Sequence, residues 1–315
     1  MNLFGRPNRT RVLLFGGLGN QLFQIAAGFA LAQEDEFVLD TSIIDVLENP
    51  NWFNSFEELK GHHQAVFMKP SKPSAIKLKM INFAIRISTN DLRKLRFPRF
   101  FVAFIRMYSI LLQFFVFEGQ KVFIARGLGV QDFDLDNLKG SVLIGYFQSH
   151  KLIHAKSPNN VVEKIRLLLG VLDPRETIPG AVAIQLRLGD YDKNSNIGVL
   201  DASYFRRALS IAADDFEIQS AVVFSDDMER ALNYLEGSTR LELQNGEDSS
   251  SGPLATLISM SDFGYYIISN STFAWWAASI SSNTRQVIAP TPWFSGPNSP
   301  SDLIPPNWIT VSRTG

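Results

Sequence analysis

The sequence predicts an α/β protein made of two Rossmann-like units, each with a parallel sheet. Two observations carry that expectation: apolar runs that read as buried strands alternate with helical segments, and the alternation begins twice, at Arg11 and again at Ala181. Length is the third. A chain of 315 residues suffices for two domains that each bury a core. The expected division is 1–170 and 171–315, because LLGVLDPRETIPG, Leu168 to Gly180, breaks the pattern with two prolines and glycines.

In the first unit, Arg11 to Phe15 reads as a buried strand, Gly16 to Gly19 as a turn, Gln21 to Ala32 as a helix and Glu36 to Asp40 as the next strand. The second unit opens with a strand at AVAIQLRL, Ala181 to Leu188. A helix near Tyr204 to Ala212 follows, then a strand at AVVFSDD, Ala221 to Asp227. YYIISNS, Tyr265 to Ser271, and QVIAP, Gln286 to Pro290, supply two more strands. Parallel sheets hold ligands beyond the carboxyl ends of their strands, and each motif of chemical interest lies at such an end.

Composition narrows the classes. A hydrophobic share of 45% with 19% charged residues is that of a globular protein. The formal net charge of −1 offers no global attraction for nucleic acid. The chain has no cysteine, which excludes disulfides, thiolate catalysis and cysteine metal sites and fits a reducing compartment. MNLFGRPNRTRVLLF has too short an apolar run for a signal peptide, so a cytoplasmic protein is expected.

The segment from about 69 to 117 is unlike its surroundings. Its ten Lys and Arg side chains, Lys69, Lys72, Lys77, Lys79, Arg86, Arg93, Lys94, Arg96, Arg99 and Arg106, are opposed only by Asp91. FFVAFIRMYSILLQFFVF, Phe100 to Phe117, is broken by Arg106 and Gln113 and makes a poor membrane span. Two readings stand: a pair of core helices whose cations cover the outside, or a basic amphipathic surface that meets anionic lipid.

Four clusters can carry chemistry. FGGLGNQLFQ places Gly17 and Gly19 as in a dinucleotide fingerprint, and Asp40 ends the next strand where an NAD ribose ligand would sit. Leu22 stands where the packing glycine should be, and Asn20 and Gln21 instead offer two amides able to bond sugar hydroxyls or a phosphate. In IQLRLGDY a strand delivers Arg187 to its end, and a turn carries Asp190 and Tyr191. The guanidinium fork suits a diphosphate, although an Arg187–Asp190 pair could merely staple the turn. At FSDD, Asp226 and Asp227 precede a helix; one can cap it, the other can accept from a ribose or a guanine edge, and paired acids also admit a divalent metal. In IISNSTFAWWAASI, Ser269, Asn270, Ser271 and Thr272 lead into a helix, as a phosphate seat or as plain capping above a buried Trp275-Trp276 core. The sequon Asn270-Ser271-Thr272 matters only in a secreted protein.

GGLGNQLFQIAAGFALA, GYFQSHK, QLRLGDY, LDASYFRRAL, FSDD, ISNSTFAWWAA and VIAPTPWF occur in an order and spacing that resembles the α-1,2-fucosyltransferases, glycosyltransferase family 11, from Phe15 to Phe294. The resemblance is thinnest in the basic middle segment. It implies a GT-B-like fold, two Rossmann-like domains with parallel sheets facing across a cleft: residues 1–170 on the acceptor side, with a basic helical insertion at about 69–117, and 171–315 binding the GDP-sugar. It implies an inverting transfer of L-fucose from GDP-fucose to the 2-hydroxyl of an acceptor sugar, a galactoside, with neither cofactor nor metal.

Carried over by position, Arg187 would steady the leaving diphosphate and Asp190 would take the hydroxyl proton. Gln185, Asp226, Asp227, Ser269, Asn270, Ser271 and Thr272 would bind the donor, while Gly17, Gly19, Asn20 and Gln21 would line the cleft. The implied partners are GDP-fucose and an oligosaccharide or lipid-linked glycan in surface-polysaccharide synthesis, with contact to the inner face of the membrane through 69–117. Two departures from the family pattern His-x-Arg-Arg-Gly-Asp-Tyr leave alternatives open. Gln185 stands for the histidine and cannot take a proton, and Leu188 stands for the second arginine. A catalytically silent sugar-nucleotide or glycan-binding relative is therefore a second reading, and an NAD-dependent oxidoreductase resting on Gly17, Gly19 and Asp40 a third.

Overall fold

A computed structural model describes residues 9–32, 35–44, 64–68, 72–89, 98–129, 136–154, 160–171, 177–189, 197–216, 218–237, 239–246, 252–296, 299–300 and 302–314. The chain forms two compact units, one of residues 1–170 with 300–303 and one of 171–299 with 304–315. Both are α/β with wholly parallel sheets, as the alternation of strands and helices requires.

The first unit has strands β1 (Arg11–Leu13), β2 (Phe37–Asp40), β3 (Ala65–Met68), β4 (Val122–Ile124) and β5 (Val142–Ile144), in the order β3-β2-β1-β5-β4. Helix α1 (Leu18–Ala32) follows β1. It is apolar almost all round and buried along nearly its whole length, as a helix between sheet and neighbouring helices must be. Gly28 brings it close to the sheet: a Cβ there would lie 2.2 Å from the Phe37 ring. Helices α2 (Ala75–Ser88) and α3 (Pro98–Phe115) pack on the side to which Leu13, Phe15, Val122, Ile124, Val142 and Ile144 point. The short helices α4 (His150–His154) and α5 (Val161–Leu168) contact α1.

The second unit has strands β6 (Ala181–Leu186), β7 (Ser220–Ser225), β8 (Glu242–Asn245), β9 (Tyr265–Ile267), β10 (Gln286–Thr291) and β11 (Ile309–Ser312), ordered β11-β10-β9-β6-β7-β8. Its helices are α6 (Ala202–Asp215), α7 (Met228–Leu235), α8 (Gly252–Met260) and α9 (Thr272–Ile280). Fully buried strands such as β6, AVAIQL, read as continuous apolar runs because helices cover both faces. The Tyr204 hydroxyl of α6 donates to the carbonyls of Ile268 and Ile288 at 2.6 and 3.3 Å, tying the helix to two strands.

Several boundaries differ from the sequence expectation, and β1 and β9 end at Leu13 and Ile267, short of Phe15 and Ser271. The glycine turn is confined to Gly16 and Gly17, since the Gly17 carbonyl already accepts from the N–H groups of Asn20 and Gln21, so Gly19, Asn20 and Gln21 belong to the first turn of α1. Strands β6 and β7 stop at Leu186 and Ser225, leaving Arg187, Asp226 and Asp227 in the loops beyond.

Candidate functional site

In the second sheet β6 has β7 and β8 on one side and β9, β10 and β11 on the other, so the winding reverses between β6 and β9. Loops leave such a point in opposite directions and open a crevice at the carboxyl ends. Gln185 and Arg187 come to this point from β6, and Ser269, Asn270, Ser271 and Thr272 come from β9. The two sides touch: the Ser269 hydroxyl donates to Gln185 Oε1, and both residues are buried.

Asp226, beyond β7, holds the turn after β6. Its carboxylate accepts from the N–H groups of Leu188 at 2.9 Å and Gly189 at 3.1 Å, and Arg187 Nε lies 3.3 Å from Oδ2. A Cβ on Gly189 would come within 2.9 Å of Oδ2, so the close approach requires glycine. Arg230 of α7 donates to the Leu188 carbonyl at 3.2 Å, fixing the turn by its acceptor side as well. Arg187, about one-third exposed, is thus presented at the strand end in a fixed setting. Asp227 is the acid that caps α7, accepting from the Arg230 N–H at 3.1 Å. Asp190 and Tyr191 lie outside the described residues.

Ser271 occupies the N-cap of α9 without a side-chain cap hydrogen bond, so its hydroxyl does not cover the first N–H groups of that helix. Asn270 Nδ2 donates to the carbonyls of Ile197 and Gly198 at 3.1 and 3.0 Å. Arg313 reaches the same two carbonyls at 3.1 and 3.2 Å and that of Trp293 at 3.2 Å; burial lowers its pKa. Gly198 has φ +68°, and a Cβ there would meet Arg313 Nη2 at 2.9 Å. Asn270 and Arg313 therefore hold the point where the chain re-enters α6. Trp275 and Trp276 are fully buried, which meets the core half of the capping-and-core reading, while Ser271 does not supply the cap.

The first sheet reverses between β1 and β5. Gly16, with φ +80°, turns the chain from β1 into α1. Gln21 Nε2 donates to the Gly16 carbonyl at 2.6 Å, and the Gln24 amide pairs with both the N–H and the carbonyl of Phe15, just beyond the end of β1. Across the reversal, Gln148 Nε2 donates to Asn20 Oδ1 at 2.9 Å. Gln21 Oε1 and Gln148 Oε1 are buried with no hydrogen-bond partner among the described residues. Two unpartnered acceptors near the carboxyl ends of β1 and β5 suit hydroxyl donors. Asp40 is committed elsewhere: it is fully buried, accepts from Arg11 Nε at 2.8 Å and from the Ser42 N–H at 2.9 Å, and cannot serve a ribose without giving these up.

Sequence reasoning does not single out Arg230, Arg313, Gln24 or Gln148 as site residues. Gln148 sits in GYFQSHK, and Arg230 three residues beyond Asp227, so both lie beside motifs that the sequence does display.

A family profile described as "Glycosyl transferase family 11" matches residues 11–312. An "Alpha-1,2-colitosyltransferase" of Escherichia coli is 26% identical over 315 residues, covering 95% of this chain and 98% of that protein. An "O-antigen biosynthesis glycosyltransferase WbnK" of Escherichia coli is 26% identical over 321 residues, covering 95% and 99%. Among solved structures, E. coli heptosyltransferase WaaC with ADP has a TM-score of 0.43 at 12% identity, covering 96% of this chain and 93% of that one. Fucosyltransferase NodZ from Bradyrhizobium has 0.42 at 10%, covering 90% and 94%.

Proposed function

The chain belongs to glycosyl transferase family 11, and from that premise we propose that it moves L-fucose from GDP-fucose to the 2-hydroxyl of a galactoside in surface-polysaccharide synthesis. The observation that carries the reading is the convergence at the β6–β9 reversal: a charged Arg187 set by Asp226 beyond β6, and beyond the neighbouring β9 an α9 N-terminus whose cap residue makes no side-chain cap hydrogen bond, with Gln185 and Ser269 joined between them. A guanidinium and helix N–H groups are what a departing diphosphate needs. The names of the two relatives support an α-1,2 linkage and an O-antigen setting.

On this reading the acceptor hydroxyl attacks the anomeric carbon opposite the diphosphate. The carbon–oxygen bond to the diphosphate breaks, its electron pair leaves with GDP, and the hydroxyl proton passes to a base. Arg187 takes up the growing negative charge, with Ser271 and Thr272 as further donors and no metal required; Ser269 would join them by giving up its bond to Gln185 Oε1. Asp190, three residues along the chain from Arg187, is the proposed base. Gln185 cannot take a proton and keeps a hydrogen-bonding part through Ser269. Asn20, Gln21 and the backbone of Gly17 and Gly19 are proposed to meet the fucose or the acceptor.

GDP-colitose is a second donor candidate, favoured by the name of one relative. Colitose lacks the 3-hydroxyl of fucose. The purified protein is therefore incubated with GDP-fucose or GDP-colitose and a panel of β-galactosides, with and without chelator. Acceptor-dependent GDP release from GDP-fucose, insensitive to chelation, is the expected result; preference for the other donor reassigns the sugar. Binding without turnover supports the silent relative that Gln185 and Leu188 suggest.

A further inference from the structure

Eight of the eleven exposed large hydrophobic side chains among the described residues belong to α2 and α3. On α3 they form one stripe: Phe100, Met107, Ile110, Leu111, Phe114 and Phe115 repeat at helical spacing, with Phe100 76% and Phe114 67% exposed. The opposite stripe is already used. Ile105 and Leu112 are buried, Phe101 and Tyr108 pack on the core, and the Tyr108 hydroxyl donates to the Met80 carbonyl of α2 at 3.0 Å. The 18-residue helix is long and apolar enough to cross a membrane, yet its inner face is fastened along the unit, so it lies on the surface. On α2 the outward stripe reads Ile76, Lys79, Phe83, Arg86, apolar side chain and cation by turns, with Lys72 exposed just before the helix. Phe83 meets Tyr108 edge-on at 5.1 Å, which sets α2 directly beside α3.

We infer that the outer face of α2 and α3 docks on an anionic lipid surface, its apolar side chains entering the headgroup region and its cations meeting lipid phosphates.

Charge selects this occupant. Segments 72–89 and 98–117 carry six cations, Lys72, Lys77, Lys79, Arg86, Arg99 and Arg106, and no acid, within a chain of net charge −1. Two copies set face to face would oppose these cations, which argues against self-association. A bilayer accepts both components at once, because long basic side chains extend from an apolar bed to the phosphate level. Arg99 and Arg106 flank an open recess of about 500 Å³ with Val102 and Ala103 between them, wide enough for a headgroup. Arg126, at the end of β4, is lowered in pKa first by burial and then by the nearby charge of Arg106, so a phosphate there would relieve a repulsion.

The inference does not rest on the transferase reading, and its test is read without turnover. The full-length protein is sedimented with vesicles of phosphatidylglycerol and phosphatidylethanolamine, or of phosphatidylcholine alone. Binding to the anionic vesicles, weakened by salt and at least about tenfold weaker on phosphatidylcholine, is expected. A Phe100→Ser/Phe114→Ser variant is expected to lose about tenfold or more in partitioning with an unchanged circular dichroism spectrum. Arg99→Ser and Arg106→Ser are each expected to lose about fivefold. No binding to anionic vesicles, binding indifferent to Phe100 and Phe114, or a dimer in light scattering that the double phenylalanine variant abolishes would each overturn the inference.

Discussion

Asp226 uses one carboxylate to hold two backbone N–H groups and to face a guanidinium, and the consequences of disturbing it are separable. Arg187→Ala removes the proposed charge acceptor but little stability, because a partly exposed pair contributes about 1 kcal/mol or less. Expected are an unchanged melting temperature and a kcat lowered by about 10²–10³, read with GDP-fucose and the best acceptor. Gly189→Ala works from the other side: the new methyl would push on Asp226 Oδ2, which bonds from Leu188, Gly189 and Arg187 prevent from yielding. It is expected to raise the donor KM about tenfold, read with GDP-fucose and the best acceptor, with the circular dichroism spectrum unchanged.

At the scale of elements, the dinucleotide fingerprint fails at Leu22, and the structure shows where its third duty has gone. Gly28, further along α1, gives the helix its close approach to the sheet, against the ring of Phe37. Gly28→Ala is expected to destabilise by about 1–3 kcal/mol in urea unfolding, through forced movement of a buried ring. Gln24→Leu is expected to cost about 2–4 kcal/mol, because both main-chain groups of Phe15 lose their partner. The central strands β1, β2, β6, β7, β9 and β10 were legible because burial on both faces writes an apolar run, whereas β5, central and buried but only three residues long, was not. The edge strands β3, β4, β8 and β11 were not: each has one neighbour, β4 spans three residues, and β8 is ELQN. The site divides in the same way. Arg187, Asp226 and Ser269 follow from the rule that parallel sheets bind at strand ends. Their supports were hidden by separation, 42 residues from Arg230 to Leu188, 128 from Gln148 to Asn20 and 116 from Arg313 to Ile197.

Over the whole molecule, buried tyrosines tie stability to alkaline pH. Tyr146 in the first unit and Tyr204 and Tyr266 in the second are all raised in pKa by burial from the ordinary value near 10. Below that pH the folded and unfolded chains both keep these protons. Above it the unfolded chain releases them while the folded one does not, so stability falls with rising pH until the folded pKa values are reached, by about 1.4 kcal/mol per pH unit for each such tyrosine. Unfolding midpoints measured in steps on the alkaline side of that value should show the decline. Tyr204→Phe should make it shallower, at the expense of the bonds to Ile268 and Ile288. The first unit also includes residues 300–303, where Asp302 accepts from the His150 N–H at 2.7 Å and pairs with Lys151 at 3.2 Å. During synthesis the segment that fastens α4 emerges more than a hundred residues after the rest of that unit, a wait on the order of ten seconds. The contacts of Asp302 with α4 therefore form only after strands β6 to β10 of the second unit have been made.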